Sequence, residues 1–305
     1  MKLDVLGESG SLDSVIEVCD LHMKASNGHS FQTILTSVSF AIQRGETLAL
    51  VGESGSGKSM TANAVLGLLP RSIHVSKGRI IFEGHDILSV PDKKRRALLG
   101  KEIGFVFQDY QSSFTPFLKI GDQLIETLRT HQTVSKNESK KSAMEWLTQV
   151  GLPAERVYDS YPFQLSGGQM QRTALAAAMM LQPKLLIADE VTTALDVWSG
   201  EVVLDLLVKL QRQTGCAVLM ISHDLRQVLK RADRVAVMKD GKILEQQTAQ
   251  MIQKHPEHPY TQMLLDAKPP LPEVHFASNQ RIESGYSPCE SFDRRRRKGG
   301  KAGIC

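Results

Sequence analysis

No uninterrupted apolar run in this 305-residue chain approaches the roughly 20 residues that a helix needs to cross a bilayer. Membrane association is therefore expected to come through partners. Met1 to Ser14 also lacks the apolar stretch of a secretory signal, with Glu8 and Asp13 standing where that stretch belongs. Cysteine is scarce: Cys19, Cys216, Cys289 and Cys305 lie far apart and form no CxxC pair, the pattern of a chain kept in a reducing compartment. Cys216, just ahead of the apolar run Ala217 to Ile221, reads as a semi-buried thiol. A broadly basic surface is missing too. The formal net charge is +4, but Arg294, Arg295, Arg296, Arg297, Lys298 and Lys301 carry six positive charges and leave the remainder near neutral at −2. This tail reads as a solvated terminus, contact with anionic lipid or nonspecific nucleic acid being the sharper reading, and no specific nucleic acid is expected.

What is present centres on Gly52-Glu53-Ser54-Gly55-Ser56-Gly57-Lys58-Ser59, a complete phosphate-binding loop. Glycines let successive backbone N–H groups face a triphosphate, Lys58 can reach the β and γ phosphates, and the Ser59 hydroxyl can hold magnesium. Glu46 to Val51 reads as a short buried strand before it. Lys58 to about Leu68, including Met60, reads as a helix presenting its N-terminus to the anion. A bare glycine-serine turn shares the composition but not this strand-helix setting, so binding of ATP or GTP follows.

Further along stand Phe107-Gln108-Asp109, Leu165-Ser166-Gly167-Gly168-Gln169, Leu186-Ile187-Ala188-Asp189-Glu190, Ala194-Leu195-Asp196 and Ser222-His223-Asp224. With the phosphate loop, their order and spacing from about Val15 to Pro272 make the chain resemble the ATP-binding subunit of an ABC transporter. The nearest group is the one that drives uptake of oligopeptides, dipeptides and nickel or metal chelates. The fold expected from this resemblance is α/β: a mostly parallel core, an N-terminal antiparallel β subdomain and a helical subdomain. The repeated strand-helix alternation independently specifies a mostly parallel core.

Four regions are expected: a flexible segment at 1–14, an ATP-binding domain at 15–267, a helical insertion within it at about 112–162, and a C-terminal extension with the basic tail at 268–305. The β-rich part runs from Val15 to Phe82, with strand patterns at Val15 to Val18 and Leu35 to Ile42 and turns at Ser26-Asn27-Gly28 and Arg44-Gly45. In the insertion, Leu118, Ile120, Leu124, Ile125 and Leu128 give an apolar helix face, Ser135 and Glu138 have capping-box spacing, and Gly151 is a helix stop. Lys184 to Asp189 reads as an apolar strand, followed by a helix carrying Val202, Val203, Leu206, Leu207 and Leu210. Ala217 to Ile221 and Val235 to Met238 are further strands, the latter leading into an Asp240-Gly241 turn.

The resemblance implies a division of labour. Asp189 belongs to the magnesium shell with Ser59, and Glu190 positions the water that attacks the γ-phosphorus. Gln108 touches the metal or water network at the entrance to the insertion, and His223 senses the γ-phosphate. Ser166, Gly167, Gly168 and Gln169 face ATP held by the phosphate loop of another subunit, so a homodimer, or a heterodimer with a related ATPase, is required. Asp224, Asp196 and Ser222 support the dimer-facing geometry. Two transmembrane permease subunits and an extracellular or periplasmic substrate-binding protein complete the implied complex, with this chain peripheral on the cytoplasmic face of the cell membrane. Phe31 is the nearest aromatic candidate for adenine stacking, since His22, Met23, Lys24 and Ala25 occupy the neighbourhood where the family often places a ring. Some relatives carry a cysteine cluster after the ATPase core, but Cys289 and Cys305 are too few, and no iron–sulfur site is expected. The Phe107 to Pro116 wording and His258-Pro259-Tyr260-Thr261 resemble the peptide and nickel branch and lean towards nickel or its chelates. A different class, a soluble ABC ATPase acting as a regulatory or nucleic-acid-associated module, has only the basic tail in its favour.

Overall fold

A computed structural model describes residues 14–26, 30–192 and 196–267. The chain opens with β1 (Ser14–Ser26) and β2 (Phe31–Gln43), which pair antiparallel, and continues into β3 (Thr47–Val51) and helix α1 (Lys58–Leu66). Then come β4 (Ile73–Phe82), β5 (His85–Asp86), α2 (Asp92–Arg96) and β6 (Ile103–Val106). Helices α3 (Ile120–His131), α4 (Lys136–Gln149), α5 (Ala154–Asp159) and α6 (Gly167–Met179) follow without an intervening strand. The remainder alternates: β7 (Leu185–Asp189), α7 (Val197–Thr214), β8 (Ala217–Ser222), α8 (Leu225–Leu229), β9 (Arg234–Lys239), β10 (Lys242–Thr248), α9 (Ala249–Lys254) and α10 (Pro259–Asp266).

Two sheets result. The smaller is antiparallel in the order β2-β1-β4-β5, and the larger runs β10-β9-β3-β8-β7-β6, parallel except for the β9–β10 hairpin. That hairpin turns through Asp240 and Gly241, whose φ values of 47° and 74° suit the right-handed twist of the strands. Every residue of β3 and β7 is buried, which is why both read as continuous apolar runs.

The period-two geometry of these strands divides the interior. Leu48, Leu50, Leu185, Ile187, Leu219 and Ile221 face a core shared with the antiparallel sheet and α1. Ala49, Val51, Leu186, Ala188, Val218 and Met220 face the opposite core, shared with the helical insertion, α6 and α7. Replacing a fully buried leucine such as Leu48 by alanine would cost about 2–5 kcal/mol, a large part of a domain's stability.

Ile120, Leu124, Ile125 and Leu128 are buried, and Ser135 and Glu138 close a reciprocal capping box, with the Glu138 N–H donating to Ser135 Oγ at 3.2 Å and the Ser135 N–H donating to Glu138 Oε2 at 2.9 Å. One assignment is corrected: Leu118 precedes α3 and is 43% exposed, because the helix begins only at Ile120. Val202 lies in α7 as expected, 43% exposed on its outer side, while Val203, Leu207 and Leu210 turn inward. Ser14, placed in the N-terminal segment, pairs with Gln43 in β1. Asn27, Gly28, Ala194, Leu195, Cys289, Cys305 and the basic tail lie outside the described residues.

Candidate functional site

Strand register assembles the site. Val51 sits opposite Ser222 and Asp189 opposite Ile221 in adjacent parallel strands, so the phosphate loop after β3, the acids ending β7 and His223 after β8 emerge together at the C-terminal edge. This is where open α/β sheets bind ligands.

The loop is shaped by close approaches. A Cβ on Gly52 would lie 2.0 Å from the Met238 carbonyl oxygen, and Gly57 holds φ 105° as the N-cap of α1. The Gly241 N–H donates to the Ser56 carbonyl at 3.0 Å, so the β9–β10 turn braces the loop from the side. No side chain caps α1 and no acid lies in its first turn, which leaves its N-terminal donors for an anion. Lys58 is only 4% exposed, and its Nζ donates to the Gly52 and Glu53 carbonyls, both at 2.8 Å. Burial pulls the Lys58 pKa down, with the charges of Glu190 and Asp189 acting against that shift.

The acids and their neighbours converge on the loop. Ser59 Oγ donates to Asp189 Oδ1 at 3.2 Å. Burial pushes the Asp189 pKa up and Glu190 adds to this, while the Ser59 bond and Lys58 pull it down. Gln108 Nε2 donates to Glu190 Oε2 at 3.2 Å, and His223 Nδ1 lies 3.6 Å from the same oxygen. Glu190 itself has φ 46°, a left-handed conformation that costs a non-glycine residue on the order of 1 kcal/mol. Its N–H donates to the Ile221 carbonyl at 3.0 Å, tying the strained residue to β8.

Ser166 to Gln169 stands apart from this cluster. Ser166 caps α6, its Oγ accepting from the Gln169 N–H at 3.3 Å while Gln169 Oε1 accepts from the Ser166 N–H at 3.0 Å. Among the described residues no hydrogen bond joins this segment to the phosphate loop; a Cβ on Gly168 would meet Ser199 of α7 at 3.9 Å. Asp196 caps α7, Asp224 caps α8, and Ser222 Oγ accepts from the Asp224 N–H at 3.0 Å. Of the residues that the resemblance sets near the base, Met23 is fully buried, and Phe31 is 68% exposed, meeting His74 edge-on with centroids 5.9 Å apart.

Sequence reading misses Tyr260, whose hydroxyl accepts from the Glu53 N–H at 3.3 Å, and Lys239, whose ammonium lies 4.5 Å from the centre of the Tyr260 ring. The motif around Tyr260 is visible in the chain, but its placement against a loop 207 residues away is not.

With the fold and site in place, the class follows from comparison. Residues 35–193 match the ABC transporter family, and the chain belongs to it as an ATP-hydrolysing subunit. It is 40% identical over 248 residues to a metal-staphylopine import system ATP-binding protein of Staphylococcus aureus (strain Mu50), covering 81% of this chain and 91% of the relative. It is 42% identical over 263 residues to a dipeptide transport ATP-binding protein of Bacillus subtilis (strain 168), covering 85% and 78%. Among solved structures, a dimeric ATP-binding cassette in a post-hydrolysis state bound to ADP and Pi superimposes with a TM-score of 0.69 at 29% identity, over 77% of this chain and 98% of that one. A cassette from Clostridium perfringens that is part of an ABC transporter complex matches with a TM-score of 0.69 at 28% identity, over 80% and 92%. These relatives favour transport over a soluble regulatory or nucleic-acid-associated module.

Proposed function

We propose that this chain powers an ABC importer for nickel or a metal chelate, working as one half of a cassette dimer on the cytoplasmic face of the membrane. The observation that carries the ATPase assignment is the convergence of Gln108 and His223 on one oxygen of Glu190, beside the Ser59–Asp189 pair and the phosphate loop. Backbone N–H groups from Ser54 to Met60 and the Lys58 ammonium bind the β and γ phosphates. Glu190 orients a water whose oxygen bonds to the γ-phosphorus as the bond to the β,γ-bridging oxygen breaks, giving ADP and inorganic phosphate. Gln108 and His223 hold that carboxylate in line.

Ser59 and Asp189 offer hard oxygen donors in contact, with Gln108 nearby, and these residues would hold a magnesium ion. Bound there, it would neutralise charge on the phosphate oxygens.

Ser166 to Gln169, away from the loop of its own chain, serves the nucleotide of the second cassette, whether a copy of this chain or a related one. The uncapped N–H groups of Gly167 and Gly168 at the start of α6 and the Ser166 hydroxyl are the donors. A cavity of about 530 Å³ between β6, α3 and α6 is lined by Phe105, Phe107, Phe114 and Leu124. Phe107 adjoins Gln108, and Phe117 within the insertion is 84% exposed. This apolar surface next to a site residue is suited to a permease subunit, through which ATP turnover would move the membrane pathway. No described helix is long and apolar enough to cross a membrane.

Cargo selection is assigned to two permeases and an external binding protein. The metal-staphylopine relative supports a chelate, and the dipeptide relative supports peptides as a second reading. Uptake of labelled nickel, chelated nickel and short peptides should be compared in cells with and without this gene. Loss of nickel or chelate accumulation is expected. Lost peptide uptake with unchanged nickel would overturn the metal assignment and leave the ATPase untouched.

A further inference from the structure

The His258-Pro259-Tyr260-Thr261 stretch has no part in the chemistry above, yet the structure spends several contacts on fixing it. The buried Glu245 carboxylate of β10 accepts from the Glu257 N–H at 2.9 Å and the His258 N–H at 3.1 Å. His258 caps α10, its Nδ1 accepting from the Tyr260 N–H at 3.1 Å, and Pro259 occupies the first helical position, where no donor is needed. Tyr260 is thereby held nearly buried, its ring against the Lys239 ammonium. Its hydroxyl accepts from the Glu53 backbone N–H at 3.3 Å.

Glu53 is thus gripped from both sides, by Tyr260 at its N–H and by Lys58 at its carbonyl. Nucleotide competes for the second grip, because each of the three Lys58 N–H donors that turns to the β and γ phosphates is one fewer for the Gly52 and Glu53 carbonyls. Glu53 also brings a carboxylate into a loop built for an anion, where a stray negative charge opposes the ligand. The Tyr260 hydroxyl, whose pKa burial pushes up further, braces the Glu53 N–H without adding a second negative charge.

We propose that Tyr260 is a positioning residue for the nucleotide: its hydroxyl holds the leading limb of the phosphate loop at the Glu53 N–H while Lys58 is on the phosphates. The inference rests on Gly52 to Ser59 being the ATP loop.

The test is Tyr260→Phe in the full chain, which keeps the ring and its Lys239 contact. Titration with a fluorescent ATP analogue and magnesium gives Kd, and steady-state hydrolysis separates KM from kcat. Kd and KM should rise about three- to tenfold, the fold-change of one hydrogen bond of ordinary net worth, with kcat within about twofold. A lower melting temperature with Kd and KM equal to the parent's marks a merely structural role and overturns the proposal. Hydrogen exchange at the Glu53 amide of the parent provides a second reading that needs no variant. That amide should stay protected when magnesium and ATP are added, and its release on binding would overturn the proposal equally. A parent that binds no ATP defeats the underlying site assignment instead, so the two failures are distinct.

Discussion

Gln108 Nε2 donates to Glu190 Oε2 at 3.2 Å, so a residue at the start of the helical insertion holds a residue at the end of β7 across 82 positions of chain. The same oxygen lies 3.6 Å from His223 Nδ1. A carboxylate bonded by Gln108 and flanked by His223 is restrained in orientation, as the proposed water-positioning role requires.

Removing that hold should slow chemistry more than binding. Gln108→Ala is expected to lower kcat roughly 10- to 100-fold, the scale of a misplacement by about 1 Å, while leaving ATP affinity largely intact. Rapid-quench measurement of the hydrolysis step, with nucleotide titration alongside, checks this. Affinity lost with kcat unchanged would place Gln108 in the nucleotide pocket rather than on Glu190.

Glu190 occupies a left-handed backbone conformation at φ 46°. Two variants that both lack the carboxylate separate strain from chemistry. Glu190→Gly should melt above Glu190→Ala by roughly 2–4 °C, corresponding to about 1 kcal/mol in a domain of this size, with neither hydrolysing ATP at the parental rate. Equal melting temperatures would show that the conformation stores no strain.

Much of this arrangement could be read from the chain. The strands β3, β7 and β8 are apolar runs because both faces are covered, and Ser135 and Glu138 announce a helix start through local hydrogen bonding alone. Leu118 misled because helical periodicity marks an apolar stripe without saying where the helix begins. The positive φ of Glu190 carries no sequence signal, since such a conformation normally calls for glycine or asparagine. Tyr260 was missed for a different reason: its partner is a backbone N–H, and backbone atoms leave no trace in a sequence pattern.

Asp189 is ionised at a cost, because burial raises its pKa. A carboxyl whose folded pKa exceeds its unfolded value gains relative stability as pH falls through the folded value towards its ordinary 3.8. Without nucleotide or metal, Asp189→Asn should therefore melt above the parent at neutral pH. The gap should close as the parent's Asp189 takes up a proton on acidification. Activity is expected to be lost throughout, since asparagine brings no charge to magnesium. A gap that widens on acidification would reverse the assigned sign.

The placement of Ser166 to Gln169 away from its own loop predicts complementation. Ser166→Arg and Lys58→Ala should each be inactive alone. Mixed, they should recover part of the activity, because one site of the mixed dimer combines an intact loop with an intact α6 start. Normal hydrolysis by a monomeric Ser166→Arg chain would refute the shared site.

The most direct test of the account compares steady-state, magnesium-dependent ATP hydrolysis by the parent and by a folded Glu190→Gln variant at equal nucleotide occupancy. The carboxylate's removal should leave ATP bound, favour the nucleotide-held dimer and reduce turnover by about 100-fold or more. Near-parental turnover by the variant, with binding intact, would contradict the assignment of Glu190 as the group that positions the attacking water.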